Sequence, residues 1–446
     1  MVILLVIWLA VGIGLILSQG PRGSAGLPLA YFLGLSMIHV PGAMLYLDDN
    51  EMSSMADLTK AGFEQTVIGM TAFLAGVLIA KKIGSTARQS PSLNGGIADA
   101  LSSPSVDRLD RIGLLYFLVG AFVYFVVMRF TSGIPSIAAL LSSLGSLIVV
   151  GACLRLWAAR EERKPLKLWV TIAFLPLLPL VTVVQGGFLG YGTIWVLAIL
   201  SFLFAQSNRR LVYVLVAPAI FFFGLSIFVN YAASRNEMRQ LVWYQQAAIS
   251  DRLQRVADVF RDFRWLDLSN AQHHQAIDLR LNQNFYVGAA IARLDSGMVE
   301  YAAGGMFPDL IMALIPRVVW PDKPVVGGGK SVVHDFTGIE FDQSSSFGAG
   351  QVFEFYINFG TLGVIGGFLL YGWLFGRLDL WVTKHLRTGN QQRFLFGFLV
   401  SLALAQPGWN LLEIVVSVAG SGITAYGFGY LFNLSSRTCV STANFR

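Results

Sequence analysis

The chain has 446 residues, of which 55% are hydrophobic and only 13% charged, with a mean hydropathy of +0.61. Soluble domains carry about a quarter charged residues, so an ordinary soluble globular protein is excluded and a multi-pass membrane protein is expected. The formal net charge of +6 does not mark a nucleic-acid partner, because loop Lys and Arg in such a chain first set topology.

Apolar runs long enough to span a bilayer, roughly 17 to 25 residues, fall at 2–18, 27–47, 65–80, 112–128, 141–158, 168–184, 189–206 and 211–231. After a long polar interval come 361–381, 394–409 and 412–433. Only helices suit such long continuous runs, since backbone groups in hydrocarbon must be satisfied within the segment. The expected fold is therefore an all-α membrane bundle of about eleven helices. The first run lacks a basic n-region and a convincing cleavage site, so it reads as an uncleaved span. Of the two cysteines, Cys153 lies in an apolar run and Cys439 near the end, which gives no disulfide framework.

Loop charges orient the bundle. Lys81, Lys82, Arg88, Arg108 and Arg111 lie between the third and fourth runs, and Arg155, Arg160, Arg163, Lys164 and Lys167 between the fifth and sixth. Arg209 and Arg210, then Arg377, Lys384, Arg387 and Arg393, fill the corresponding later loops. The positive-inside rule makes these loops cytoplasmic. The acidic loop from Asp48 to Glu64 and the whole of 232–360 then lie outside, with the N-terminus outside and the C-terminus inside. Three regions result: an N-terminal membrane bundle at 1–231, a large external loop at 232–360, and C-terminal membrane helices with a tail at 361–446.

A loop of that length is usually functional. Within it, Ile249, Leu253, Val256, Phe260 and Phe263 follow helical spacing opposite Arg252, Arg255, Asp258, Arg261 and Asp262, which predicts an amphipathic surface helix that Ser250 or Asp251 caps. The short apolar stretches 285–294 and 305–315 suit re-entrant or interfacial segments. They would gather Arg280, Arg293, Asp309 and Arg317 around the mouth of a cavity. Charge at membrane depth is tolerated only where it is buried in protein or faces water. Gly327, Gly328 and Gly329 read as a hinge, because no strand-to-helix context makes them a phosphate cradle. His273 and His274 are adjacent and do not face one another; no metal site is expected.

The run IPRVVWPDKP (Ile315–Pro324), preceded by DLRLNQ (Asp278–Gln283) and followed by VFEFYINFGTLGVIGGFLLYG (Val352–Gly372), resembles the O-antigen polymerases, the Wzy-type oligosaccharide repeat-unit polymerases. The matching block spans roughly 278–372, under a quarter of the chain, and the rest agrees only in topology. Many members carry an arginine after glycines in the turn that here reads Val184 to Phe188, and a glycine where Phe353 stands. The resemblance implies a glycosyltransferase C-like fold at the periplasmic face of a bacterial inner membrane. There it would join undecaprenyl-diphosphate-linked oligosaccharide repeat units into an O-antigen or exopolysaccharide. It implies an inverting, metal-independent reaction without cofactor, alongside a flippase and a chain-length regulator of the same pathway, with membrane lipid as surroundings and no nucleic acid. Transfer of a finished glycan to another acceptor, as by an O-antigen ligase, and a lipid-linked glycan flippase are the alternatives.

Such chemistry needs cations for a diphosphate and a base for the attacking hydroxyl. Arg suits diphosphate because its planar fork bonds two oxygens at once. Arg317 and Arg280 are the first candidates, with Arg235, Arg239, Lys323 and Lys330 behind them; Arg235 and Arg239 also suit plain interfacial charges. For the base, Glu354 lies in the matching motif, where it either acts on the acceptor or pairs with an arginine to order the loop. His334 and Asp335 are the second option. Trp320 and Tyr356 are candidate sugar or lipid contacts, and Asn358 is expected to cap the following helix.

Overall fold

The computed structural model describes residues 1–20, 22–47, 54–86, 106–128, 135–245, 247–315, 319–320, 322–324, 328–341, 348 and 350–443. All regular elements among them are helical. The first half of the chain forms α1 (Val2–Ser18), α2 (Leu27–Leu45), α3 (Ser54–Thr86), α4 (Val106–Phe122), α5 (Pro135–Gly145), α6 (Leu147–Glu161), α7 (Pro165–Ala173), α8 (Leu177–Gly186), α9 (Leu189–Gln206) and α10 (Arg210–Arg239). Short helices follow: α11 (Ile249–Arg261), α12 (Ala271–Leu281), α13 (Gln283–Asp295), α14 (Phe307–Ala313) and α15 (Gly329–Thr337). The chain closes with α16 (Gly350–Arg387), α17 (Gln391–Leu404) and α18 (Leu411–Ala443).

Nine helical segments among the described residues are long and apolar enough to cross a membrane, while α1 and α17 are shorter apolar helices. The apolar runs thus recur as helices, but several outgrow them: α3 begins at Ser54 and α16 at Gly350. The polar ends of these helices stay helical because they pack against one another and against α13. The first half of α10 shows the opposite, with Leu211 and Leu215 each 70% exposed, as a lipid-facing surface would be.

The intimacy of α3 and α16 comes from small residues. Gly69 and Gly76 lie seven residues apart on α3, and Gly372 and Gly376 answer on α16, while Gly62, seven residues earlier, meets the Asn284 backbone of α13. A Cβ on Gly76 would lie 2.7 Å from the Trp373 amide nitrogen, and one on Gly372 2.7 Å from the Phe73 carbonyl carbon. Where water is absent, such close backbone approach and the dispersion it allows are the main source of helix association. Around this seam Tyr31 stacks on Phe375 at 5.1 Å and tilts against Phe73 at 5.2 Å, all three fully buried. The α4 and α6 pair repeats the device, with Gly113 against the Gly151 carbonyl.

At one end of the bundle, charged side chains satisfy helix termini. Asp379 of α16, fully buried, accepts from the amides of Ala25 at 2.9 Å and Leu27 at 3.3 Å, and so caps α2 from outside. Lys81 donates to the Ser18 carbonyl at 2.8 Å, and Arg210 to those of Gln19 and Gly20. Lys167 pairs with Asp110 at 3.0 Å. The opposite end carries the 184–188 turn, the segment from α11 to α15, and the 405–410 turn.

Two local expectations change. The amphipathic helix is present as α11, but its N-cap is Ala248, and neither Ser250 nor Asp251 caps it. Asn358 does not cap a helix beginning at 361. It lies inside α16, just before a break at Phe359 (φ −142°, ψ 22°) and Gly360 (φ 60°, ψ −150°). The Gly360 conformation is essentially open to glycine alone.

Because a Cβ at Gly76 meets backbone rather than a yielding side chain, Gly76→Ala is expected to lower stability by roughly 1–3 kcal/mol. Gly366→Ala, where a Cβ meets nothing within 4 Å, is expected to leave it unchanged or slightly higher. Thermal unfolding of the two variants in detergent checks this; equal melting would refute the α3–α16 account.

Candidate functional site

The site starts from the 184–188 turn. Its carbonyls are collected by side chains from two later helices: Tyr231 donates to Gly187 at 2.6 Å, Trp243 Nε1 to Gly186 at 3.0 Å, and Arg252 to Val184 at 3.2 Å. The Arg239 guanidinium lies 4.6 Å from the Trp243 ring centroid and 5.0 Å from that of Phe188. Cation–π contact with desolvated rings holds such a charge. Arg239 of α10 and Arg252 of α11 thus bring two guanidinium groups to this turn.

Two further arginines converge there. Arg235 lies one turn before Arg239 and beside the Tyr231 hydroxyl, and the charge of Arg280 acts on both Arg235 and Arg239. Arg239 is 7% exposed, Arg235 half-buried and Arg280 exposed. Among the described residues no salt bridge joins any of the three to a carboxylate. Like charges so placed destabilise one another, and an anion with several oxygens relieves that cost.

Arg280 is fixed by its neighbours. The α12–α13 junction is buried against α2 and α3: Asn282 donates to Thr59 at 2.9 Å and Asp278 at 2.7 Å. Asn284 donates to the His39 carbonyl at 2.7 Å, while its own oxygen meets His39 Nδ1 at 2.6 Å. The DLRLNQ stretch is therefore mainly a pin, with Arg280 presented at the C-terminal turn of α12, where a cation is favoured.

Two carboxylates, Glu354 and Glu413, lie near one another close to the N-terminal ends of α16 and α18. Glu354 is 1% exposed and accepts from the Leu411 amide at 2.5 Å. One turn earlier Gln351 accepts from the Tyr31 hydroxyl at 2.8 Å and donates to the carbonyls of Gln406 at 3.0 Å and Trp409 at 2.6 Å. Glu413, exposed on the first turn of α18, acts electrostatically on both Glu354 and Tyr191. Asn410, with its amide nitrogen toward Glu413, presents its oxygen to the Gly329 amide at 2.8 Å. Gly328 and Gly329 thus begin a helix, α15, rather than serving as the expected open hinge; Gly327 lies outside the described residues.

The remaining candidates scatter. His334 and Asp335 are exposed on α15, with His334 Nδ1 3.2 Å from the Ile339 carbonyl. His334 lines an open depression with Gly328, Lys330, Ser331, Glu340 and Phe341. Lys323 Nζ reaches the carbonyls of Ala313 at 3.3 Å and Ile315 at 3.0 Å, closing the end of α14. Trp320 is 38% exposed beside it. Tyr356 is 6% exposed, with its ring tilted against that of Tyr301 at 6.4 Å, so it packs against the loop rather than offering a face. Arg317 lies outside the described residues.

The break in α16 holds that loop. The Ile357 and Asn358 carbonyls accept from Ala302 at 2.9 Å and Ala303 at 3.2 Å. The Asn358 side chain accepts from Gly304 at 3.0 Å and donates to the Glu354 carbonyl at 2.8 Å.

Reading the sequence did not single out Glu413, Trp409, Tyr191 or Trp243. The signal for the first two was Pro407-Gly408, a turn dipeptide inside what reads as one apolar run. Among the described residues no group of three or more His, Cys, Asp or Glu side chains is placed to hold a metal ion.

The family model described as Domain of unknown function (DUF8712) matches residues 105–380, well over half of the chain. That stretch contains the 184–188 turn, the three arginines and Glu354. No curated protein and no solved structure matches.

Asn358→Ala removes one bond to the 302–304 loop and one within α16. We expect a loss of about 1–3 kcal/mol and new cleavage near 298–306 in limited proteolysis, with Asn358→Asp keeping the Gly304 bond and most of the protection. Unchanged melting and no new cleavage in Asn358→Ala would mean the backbone bonds alone hold the loop.

Proposed function

The chain belongs to the DUF8712 family, and we propose that it is a membrane glycosyltransferase joining lipid-diphosphate-linked oligosaccharides. The substrate class follows the resemblance: repeat units on undecaprenyl diphosphate, polymerised into an O-antigen or exopolysaccharide. The observation that carries the reading is the meeting of Arg235, Arg239 and Arg280, which no salt bridge joins to a carboxylate among the described residues, at one end of an apolar bundle. A diphosphate on a membrane-held lipid is the anion that supplies enough oxygens at that height.

The basic residues of the opposite end, Lys81, Arg210 and Lys167 among them, support a cytoplasmic placement of that end by the positive-inside rule. The arginine mouth then faces the periplasm of a bacterial inner membrane. The reaction is displacement at an anomeric carbon. An acceptor hydroxyl forms the new glycosidic bond, the bond to the diphosphate oxygen breaks, and the hydroxyl proton passes to a carboxylate. Cations stabilise the charge developing on the departing diphosphate. Glu413 and Glu354 are the carboxylates of the mouth. Lys330, on the helix that meets Asn410, and Arg317, outside the described residues, are on the stretch proposed to meet the leaving group.

In cells lacking the chain, single lipid-linked repeat units are expected to accumulate, and the wild-type chain to restore long polymer. Long glycans that remain on undecaprenyl diphosphate would identify a ligase instead, and repeat units trapped on the cytoplasmic face a transporter. Each charge-assisted bond to a phosphate oxygen is worth about 1.5–3 kcal/mol, so Arg239→Ala or Arg280→Ala is expected to lower polymer yield about 10- to 100-fold. Normal polymer from both variants at unchanged protein level would overturn the diphosphate site.

A further inference from the structure

The arginines and the carboxylates are joined by a row of aromatic rings. Trp243 packs against Phe188 with centroids 5.4 Å apart, Phe188 against Tyr191 at 5.3 Å, and Tyr191 against Trp409 at 6.0 Å. Arg239 sits over the first two rings. The last is anchored through its carbonyl to Gln351, one turn from Glu354, and is followed within the same turn by Asn410 and Glu413. Tyr191 is 38% exposed, and Phe188, Trp243 and Trp409 are half-buried. These residues come from three separate segments, so the row is made by the fold and not by one helix's lipid-facing stripe.

We propose that this row is a saccharide platform, and that it assigns the arginine cluster to the acceptor substrate; this rests on the glycosyltransferase reading above. The apolar C–H faces of sugar rings pack on the electron-rich faces of aromatic rings. A carboxylate at the end of such a row accepts hydrogen bonds from hydroxyls. A base must lie within about 3 Å of the proton it removes. The anomeric carbon under attack is bonded directly to the donor's diphosphate. Glu413 follows Trp409 in the chain and its charge acts on Tyr191, whereas Arg239 sits over Trp243 and Phe188 at the other end of the row, so we assign the diphosphate held by Arg235, Arg239 and Arg280 to the acceptor. The acceptor's sugars lie along Phe188, Tyr191 and Trp409, which brings the hydroxyl of its far sugar to Glu413. Glu413 takes that proton as the oxygen bonds to the donor's anomeric carbon, and the donor's diphosphate leaves with the electron pair. Glu354, pinned to Leu411, positions the turn that carries Glu413.

The experiment separates binding from turnover. Calorimetric titration of the purified chain in nanodiscs uses two probes: undecaprenyl diphosphate, and the free oligosaccharide released by mild acid from repeat units of the deletion strain. Tyr191→Ala is expected to weaken oligosaccharide binding about tenfold or more and to leave undecaprenyl diphosphate binding unchanged; Arg239→Ala is expected to do the reverse. Tyr191→Phe, which keeps the ring, is expected to bind both normally. Glu413→Gln is expected to bind both probes and to lose polymer more than about 100-fold, with Glu413→Asp recovering part of it. Oligosaccharide binding indifferent to Tyr191→Ala overturns the platform, and normal polymer from Glu413→Gln overturns the acceptor assignment. Ring-dependent oligosaccharide binding by a wild-type chain that makes no polymer supports the platform while removing the polymerase reading.

Discussion

The close approach of α3 and α16 is the constraint on which the rest of the molecule depends. Glycines on both helices let backbone touch backbone, as the Gly76 and Gly372 contacts show. At one end of this seam α16 reaches back through Asp379 to cap α2. At the other, its first turns carry Gln351, Glu354 and Asn358 into the loops. A side chain inserted in the seam would move both sets together, because packed interiors transmit displacement rather than absorb it.

Polar residues within the bundle divide by purpose. Asn284, His39, Thr66 and Gln351 spend donors and acceptors on backbone carbonyls, on the Tyr31 hydroxyl and on each other, and Asn282 donates to Thr59 and Asp278. They fix the height at which short helices meet long ones, in surroundings where an unmade hydrogen bond costs the full desolvation of the group. Arg235, Arg239 and Arg280 are held differently, by rings, a tyrosine hydroxyl and the end of a helix dipole. None of those neutralises a charge. Hydrogen-bonded pins and a cluster that no salt bridge joins to a carboxylate among the described residues are thus distinct parts of the molecule.

The apolar runs made the helices legible because hydrocarbon admits little else. Their true lengths were not legible, since the polar first turns of α3 and α16 are kept helical by packing against α13. The residue types of the site were readable from chemistry: Arg235, Arg239 and Arg280 suit an anion wherever they fall. Their meeting was not readable, because it depends on α10 rising beyond the apolar core and on α12 ending against α2. Glu413 and Trp409 were hidden by an apolar run that reads through Pro407-Gly408 as one helix. Asn358 was recognised as important in the motif but given the wrong local role, since the break at Phe359 and Gly360 is visible only once the 302–304 loop has claimed the freed carbonyls.

Electrostatics then argues for a site that is completed by its ligand. Three guanidiniums near one another raise the energy of the empty molecule; the packing around Phe188, Trp243 and Tyr231 keeps Arg235 and Arg239 in place, and the α12–α13 junction fixes Arg280. An anion entering the cluster recovers that energy as binding, so affinity for the charged end of the ligand is bought at the expense of stability. Recognition of what the anion carries is left to the neutral rings beside it, which discriminate by shape and are little affected by salt. Charge holding and shape reading are thus assigned to adjacent, separable parts of one mouth. In the proposed reaction that division would let a single lipid diphosphate be gripped firmly while the attached saccharide slides to the position where its far hydroxyl can react.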